Sequence, residues 1–214
     1  MNTPDSSGIF TKITSRDTLP PISSSETDAL DWKAMVADPP NRTEFAKDMA
    51  AFANASGGSI VIGVRQGRAT ETAEFKPLTQ QAARSLARAY EEAARDLISP
   101  PPTVETAAIE IEKDGSGQWI LAVNVSPTEA IFCAVAIKPS QSGETSWLIP
   151  KRVASQTRYL SPADAQLMTV NKLRSATQRT LSDRKLAKRP KPKGADTSLR
   201  GVHHERELLR YLPS

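Results

Sequence analysis

Phe45-Ala46-Lys47-Asp48-Met49-Ala50-Ala51-Phe52-Ala53-Asn54-Ala55-Ser56-Gly57-Gly58-Ser59-Ile60-Val61-Ile62-Gly63-Val64 decides how this chain folds. Its first half is helical: Phe45, Met49 and Phe52 fall at i, i+4 and i+7 and share one face. Just upstream, Asn41 is placed as the N-cap, with Glu44 as capping-box partner three residues on. Asn54 through Gly58 ends the helix, and Gly57 is free to adopt a positive φ. Ser59 to Val64 is apolar without alternation, the mark of a strand covered on both faces. Helix, Gly-Gly turn and buried strand therefore follow one another directly.

Elements on either side extend this unit. Ala29 to Lys33 reads as a short strand, stopped by Asp38-Pro39-Pro40. Thr79 to Leu97 reads as an Ala-rich helix with a buried stripe of Ala82, Leu86, Tyr90, Ala93 and Leu97, ended by Pro100-Pro101-Pro102. Val104 to Glu112 and the alternating Trp119, Leu121, Val123 and Val125 flank Asp114-Gly115-Ser116-Gly117, which predicts a hairpin. Ile131 to Ile137 and Ser146 to Ile149 are further strands. Ser161-Pro162 opens a last helix, and beyond about residue 177 the chain turns basic and proline-broken. This order implies an α+β fold, a mixed or antiparallel sheet covered by helices. Three regions follow: a disordered arm at 1–25, a domain at 26–170, and a basic, largely extended C-terminal tail at 171–214.

Charge is distributed unevenly. The chain of 214 residues has a net charge of +4. Residues 170–214 carry 12 of the 28 Lys and Arg but 4 of the 24 Asp and Glu, so the body is mildly acidic and the tail basic. The longest apolar run, Ala130 to Ile137, is too short to span a bilayer, and the N-terminus lacks the order of a signal peptide, so a cytoplasmic location without a membrane partner is expected. The single cysteine, Cys133, lies in an apolar run and reads as a buried thiol. Adjacent His203 and His204 with one distant Cys cannot assemble a Cys/His zinc site. The P-loop pattern is absent, and here the order is helix, Gly-Gly, strand, so ATP hydrolysis has no support.

Glu26-x-x-x-x-Asp31-Trp32-Lys33, followed by the Phe45–Val64 stretch, resembles the Schlafen AlbA_2 domain, a family regarded as DNA-binding. Relatives read acid-Phe-Lys, then Ala-Phe-Ala-Asn-small-x-Gly-Gly-hydrophobic-Gly-Val. Pro150-Lys151-Arg152-Val153-Ala154-Ser155-Gln156-Thr157-Arg158 is similar to the family's closing Arg-Val-Gly-Ser-x-Thr stretch. The resemblance covers roughly residues 24 to 170. Asn54, Gly57, Gly58 and Gly63 make up its structural motif.

The resemblance implies two chemistries. Some family members are nucleases whose acids hold a divalent metal, Mg or Mn, against a phosphate. Glu26 and Asp31 match two of those positions, but after Val64 the third shows Arg65 where a nuclease has Asp. A nuclease would need an acid from elsewhere, such as Glu71 or Glu74, to replace it. The leading expectation is therefore a protein that binds DNA or RNA without catalysis and with no cofactor. The alternatives are a metal-dependent nuclease acting on RNA or DNA, and a protein-interaction module whose tail docks an acidic partner. A homo-oligomer is left open. Phosphate contacts are assigned to Lys33, Arg65, Arg68, Lys151, Arg152 and Arg158, and in the tail to Lys185, Lys188, Arg189, Lys191 and Lys193. Trp32 and Trp147 are candidates for stacking on unpaired bases, or else core aromatics.

Overall fold

A computed structural model describes residues 10–34, 41–67, 72–111, 117–137 and 145–187, with side chains to Ser175 and at Thr177. The strands and helices are β1 (Leu30–Lys33), α1 (Arg42–Ala53), β2 (Gly58–Ile62), β3 (Val64–Arg65), β4 (Glu74–Phe75), α2 (Gln80–Leu97), β5 (Ile98–Ser99), β6 (Val104–Glu110), β7 (Trp119–Val125), β8 (Ala134–Ile137), β9 (Ser146–Leu148), β10 (Pro150–Val153), β11 (Gln156–Tyr159) and α3 (Pro162–Ala187). By internal contacts the chain divides into residues 1–174 and residues 175–214. The first unit carries the sheet.

The main sheet is mixed, in the order β1-β2-β7-β6. β1 runs parallel to β2, and the other two pairings are antiparallel. Central β2 is buried at all five residues, as its unbroken apolar run requires. One face takes α1 and α2: Phe45, Met49, Phe52, Ala83, Tyr90 and Ala93 lie on Ile60, Ile62, Leu121, Val123 and Val125. The rings of Phe45 and Tyr90 stack with centroids 4.0 Å apart. Trp32, Val61, Val64, Ile109 and Ile120 face the other way.

That second face moves the start of the ordered chain. Residues 10–25 do not form an arm. Ile13 is buried, and Leu19 and Ile22 pack against the same cluster. The Ile13 N–H donates to Asn124 Oδ1 (2.8 Å), and Asn124 Nδ2 donates back to the Ile13 carbonyl (2.9 Å). A sheet with two apolar faces needs two covers, and irregular chain supplies the second without any helical or strand period to betray it.

The helices depart from expectation in three details. Asn41 caps α1 through Thr43 N and Glu44 N, but the Glu44 carboxylate pairs with Lys47 (2.7 Å) instead of closing a capping box. In α2 Tyr90 and Ala93 are buried and Leu86 and Leu97 pack against the same core, as expected, but Ala83 is buried in place of Ala82 and Ala94 joins the stripe. Thr79 caps this helix through Ala82 N. α3 runs on to Ala187, so residues 171–187 are helical and not extended. No Gly or Pro interrupts the chain between Pro162 and Pro190, and strong helix formers fill the interval. Ser161 and Asp164 cap its start reciprocally, Ser161 Oγ accepting from Asp164 N and Asp164 Oδ2 from Ser161 N.

The β10–β11 hairpin turns through Ala154 and Ser155, with Val153 opposite Gln156. Ala154 has φ +52°, at the position where the closing family motif has Gly. A left-handed alanine costs about 1 kcal/mol, which glycine does not incur. Ala154→Gly should raise the unfolding free energy by ~1 kcal/mol and the melting temperature by ~2–4 °C. A lower melting temperature would contradict this reading of the turn.

Candidate nucleic-acid interface

The residues singled out in the sequence separate into a buried charged cluster and an exposed basic hairpin. The cluster grows from β1. On a strand, side chains alternate, so Asp31 and Lys33 share a face and Trp32 points away. Trp32 enters the second core and donates its indole N–H to the Ser24 carbonyl (2.9 Å), so it offers no free ring. Asp31 is buried, and its Oδ1 accepts from Arg152 Nη2 at 2.9 Å. Its Oδ2 lies 3.1 Å from Lys33 Nζ. Lys33 also reaches Asp48 Oδ2 on α1, at 2.9 Å. Glu26 sits at the margin, 4.0 Å from Arg152, accepting from the Trp32 N–H.

Arg152 is the centre of this arrangement. Its side chain is only 6% exposed. The guanidinium carbon stands 5.1 Å over the Phe52 ring, and Nε is buried with no hydrogen-bond partner. In this geometry Arg152 is closed to an external phosphate. Lys33 is likewise committed between two carboxylates. Burial opposes its charge, but Asp48 and Asp31 outweigh that, and its pKa stands above the ordinary 10.5. Burial raises Asp48 above 3.8, against the pull of Lys33. Burial, then Asp31, raises Glu26 above 4.5. Tyr90, beside the cluster, is raised by burial and then by Asp48 and Asp31, and its hydroxyl has no partner.

The fit of a metal can be judged from these pairs. Asp31 already has a cation on each oxygen, so a divalent ion would have to displace Arg152 and Lys33. Glu74 is not available to complete a set either, since its carboxylate holds Arg65 (2.9 Å) and Lys76 (2.7 Å) across β3 and β4. Among the described residues no three Asp, Glu, His or Cys side chains group as metal ligands. Glu71 lies outside the described residues. The residues present do not fit a catalytic metal.

The structural motif is occupied by packing. Asn54 is buried and fully used: its Oδ1 accepts from Cys133 N (2.7 Å), and its Nδ2 donates to the carbonyls of Cys133 (2.8 Å) and Pro150 (2.7 Å). It thus ties the end of α1 to the run entering β8 and to the start of β10. Gly57 has φ +80°, and a Cβ at Gly58 would come within 2.3 Å of the Phe52 ring and 2.8 Å of the Ala29 carbonyl. Gly63 has φ +102°, where its carbonyl accepts from Lys76 N. Cys133 is buried, as its apolar surroundings implied.

The hairpin is the opposite case. Lys151 faces Arg158 across β10 and β11. Arg152 points inward, so alternation turns Lys151 outward, and Arg158 with it. Arg158 is exposed, Lys151 half-exposed, and neither has a recorded ion pair among the described residues. Lys172 on α3 lies nearby, its ammonium donating to the carbonyls of Ala130 (2.6 Å) and Thr128 (3.2 Å). Burial, and the like charge of Lys151, hold Lys172 below its ordinary pKa against the pull of Cys133. The sequence reading missed Lys172 and Asp48. Asp48 was detectable, because it lies three residues after Phe45 on the buried side of α1. Trp147 on β9 is 52% exposed. Arg68, Lys188, Arg189, Lys191 and Lys193 lie outside the described residues, as does the side chain of Lys185.

With this geometry in place, the class is settled: the chain belongs to the Schlafen AlbA_2 family, whose model, described as Schlafen, AlbA_2, matches residues 26–158. No curated protein matches the chain. Among the described residues no helix is long and apolar enough to cross a membrane.

Two outcomes follow from the cluster. Arg152→Met should cost about 3–5 kcal/mol of unfolding free energy, because Asp31 keeps only Lys33. A loss under 1 kcal/mol in denaturant titration would show the pair to be idle. The carboxylates set a pH dependence. Glu26 and Asp48 bind a proton more tightly folded than unfolded, so stability falls as pH rises through the window that opens at 3.8–4.5 and extends above it. Asp48→Asn should flatten that slope, and a slope unchanged by the substitution would contradict the assignment.

Proposed function

We propose that this protein binds nucleic acid, with DNA as the first candidate, through the outer face of the β10–β11 hairpin and without catalysing strand cleavage. The observation that carries this reading is the Lys151–Arg158 pair: two cations facing one another across an exposed hairpin, without a carboxylate partner among the described residues, with Lys172 close by. Such a pair neutralises adjacent phosphates and releases counterions, and Arg adds bidentate geometry. Membership of a family regarded as DNA-binding supports it. Arg65 is exposed and shares Glu74 with Lys76, so that hairpin contributes a net single positive charge. The basic segment from Lys185 to Lys193 is a second, sequence-independent contact in this proposal. Trp147, exposed on β9, is in this proposal the candidate for stacking on an unpaired base.

The nuclease reading loses support at Asp31, whose two oxygens already face cations. The reading in which the tail docks an acidic partner rests on the same basic segment that the nucleic-acid reading uses.

Gel-shift or anisotropy titration with single- and double-stranded DNA and RNA across a salt series tests the proposal. Binding should weaken steeply with salt. Lys151→Ala/Arg158→Ala should reduce affinity by ~10-fold or more and lower the salt slope by ~1–2, at unchanged fold. Absence of binding to either polymer at low salt would overturn it. Cleavage in Mn²⁺ that is lost on Asp31→Ala would establish the nuclease instead.

A further inference from the structure

We propose that the open edge of the sheet, strand β6, pairs with β6 of a second copy of this chain to form one eight-stranded sheet. β6 and β7 are antiparallel, with Val104 opposite Val125 and Glu110 opposite Trp119. Just beyond the ladder's ends, Ile111 N donates to the Gln118 carbonyl (2.9 Å), and Ser126 N to that of Thr103 (3.0 Å). Residues in an antiparallel pair alternate between exchanging hydrogen bonds and turning them outward. Thr103 and Ile111 therefore set the phase: the odd-numbered residues of β6 bond to β7. Val104, Thr106, Ala108 and Glu110 direct their N–H and C=O groups away from the sheet. No partner is recorded for those groups among the described residues.

Natural edges are usually blunted by Pro, Lys, a bulge or extreme shortness. β6 has none of these. It is seven residues long, about 23 Å at ~3.3 Å per residue. The two glutamates, Glu105 and Glu110, are its only charges.

The strand's own sequence favours a second copy as the occupant. Placing a two-fold axis at Ala107 pairs Val104 with Glu110 and Thr106 with Ala108. All four outward residues then become hydrogen-bonded positions, and ~8 bonds form across the axis. Glu105 falls opposite Ile109 and Glu110 opposite Val104, so no glutamate faces another. Glu105 also carries Lys12 as its ion-pair partner. At the centre lie Thr106, Ala107 and Ala108, all small side chains, with the Thr106 hydroxyl donating to Glu91 Oε1 on α2 (2.8 Å).

The outward phase makes a clean test possible. Proline at Ala108 removes an N–H that β7 does not use, so the fold should survive while the pairing is blocked. In the paired arrangement Ala107 faces its own copy at a non-hydrogen-bonded position, where Cα atoms approach to ~4.5 Å, within reach of a disulfide. Cys133 is buried and is the sole native cysteine, so it adds no background. Sedimentation of the full chain should show a concentration-dependent dimer. Ala108→Pro should raise its dissociation constant by about tenfold or more. Ala107→Cys should give a covalent dimer under mild oxidation. Should Ala108→Pro fail to fold, as judged by circular dichroism, Ala108→Lys takes its place and should weaken the dimer likewise. A monomer at ~100 µM would overturn the proposal, as would a dimer that Ala108→Pro or Ala108→Lys leaves intact and Ala107→Cys fails to cross-link.

Discussion

The guanidinium of Arg152 lies between the Asp31 carboxylate and the ring of Phe52, and much of the surface geometry depends on its being there. It joins three parts of the chain far apart in sequence: β1, the end of α1, and the first strand of the closing hairpin. A charge so placed is expensive to bury alone. Asp31 offsets its desolvation, Lys33 shares Asp31, and Asp48 holds Lys33, so the cost is spread over a connected set. Removing Asp31 leaves Arg152 with only Glu26 at 4.0 Å, and removing Lys33 takes away the cation that Asp48 holds.

The same interaction sorts the cations. Once Arg152 is drawn inward, the pleat of β10 turns Lys151 outward, and the register brings Arg158 beside it. A basic surface and a neutralised acid site are thus two consequences of one strand orientation. Asn54 reinforces it by bonding the Pro150 carbonyl, which fixes where β10 begins. The family motif, Phe-Ala-Asn followed by Gly-Gly, is in this chain a device for holding the hairpin against α1.

Much of this was readable beforehand. Phe45, Met49 and Phe52 gave the phase of α1 because large side chains at helical spacing leave little choice. The buried β2 followed from its unbroken apolar run. The phase of α2 was less well determined, since with alanines at 82, 83, 87, 89, 93 and 94 neighbouring stripes look almost equally apolar. Residues 10–25 were misread because a cover built from isolated apolar side chains has no period. Arg152 was grouped with Lys151 and Arg158 on charge alone. Strand alternation already forbids Lys151 and Arg152 from sharing a face, so part of that distinction was present in the sequence. Which of the two points inward was not, because it depends on Asp31, more than a hundred residues away.

Asp31 and Arg152 are energetically coupled and not merely adjacent. A double-mutant cycle on unfolding free energy, using Asp31→Asn, Arg152→Met and the two together, measures that coupling with the desolvation of each group cancelled. The expected coupling is about 2–3 kcal/mol, with the double variant more stable than the sum of the single losses allows. Strictly additive losses would contradict it.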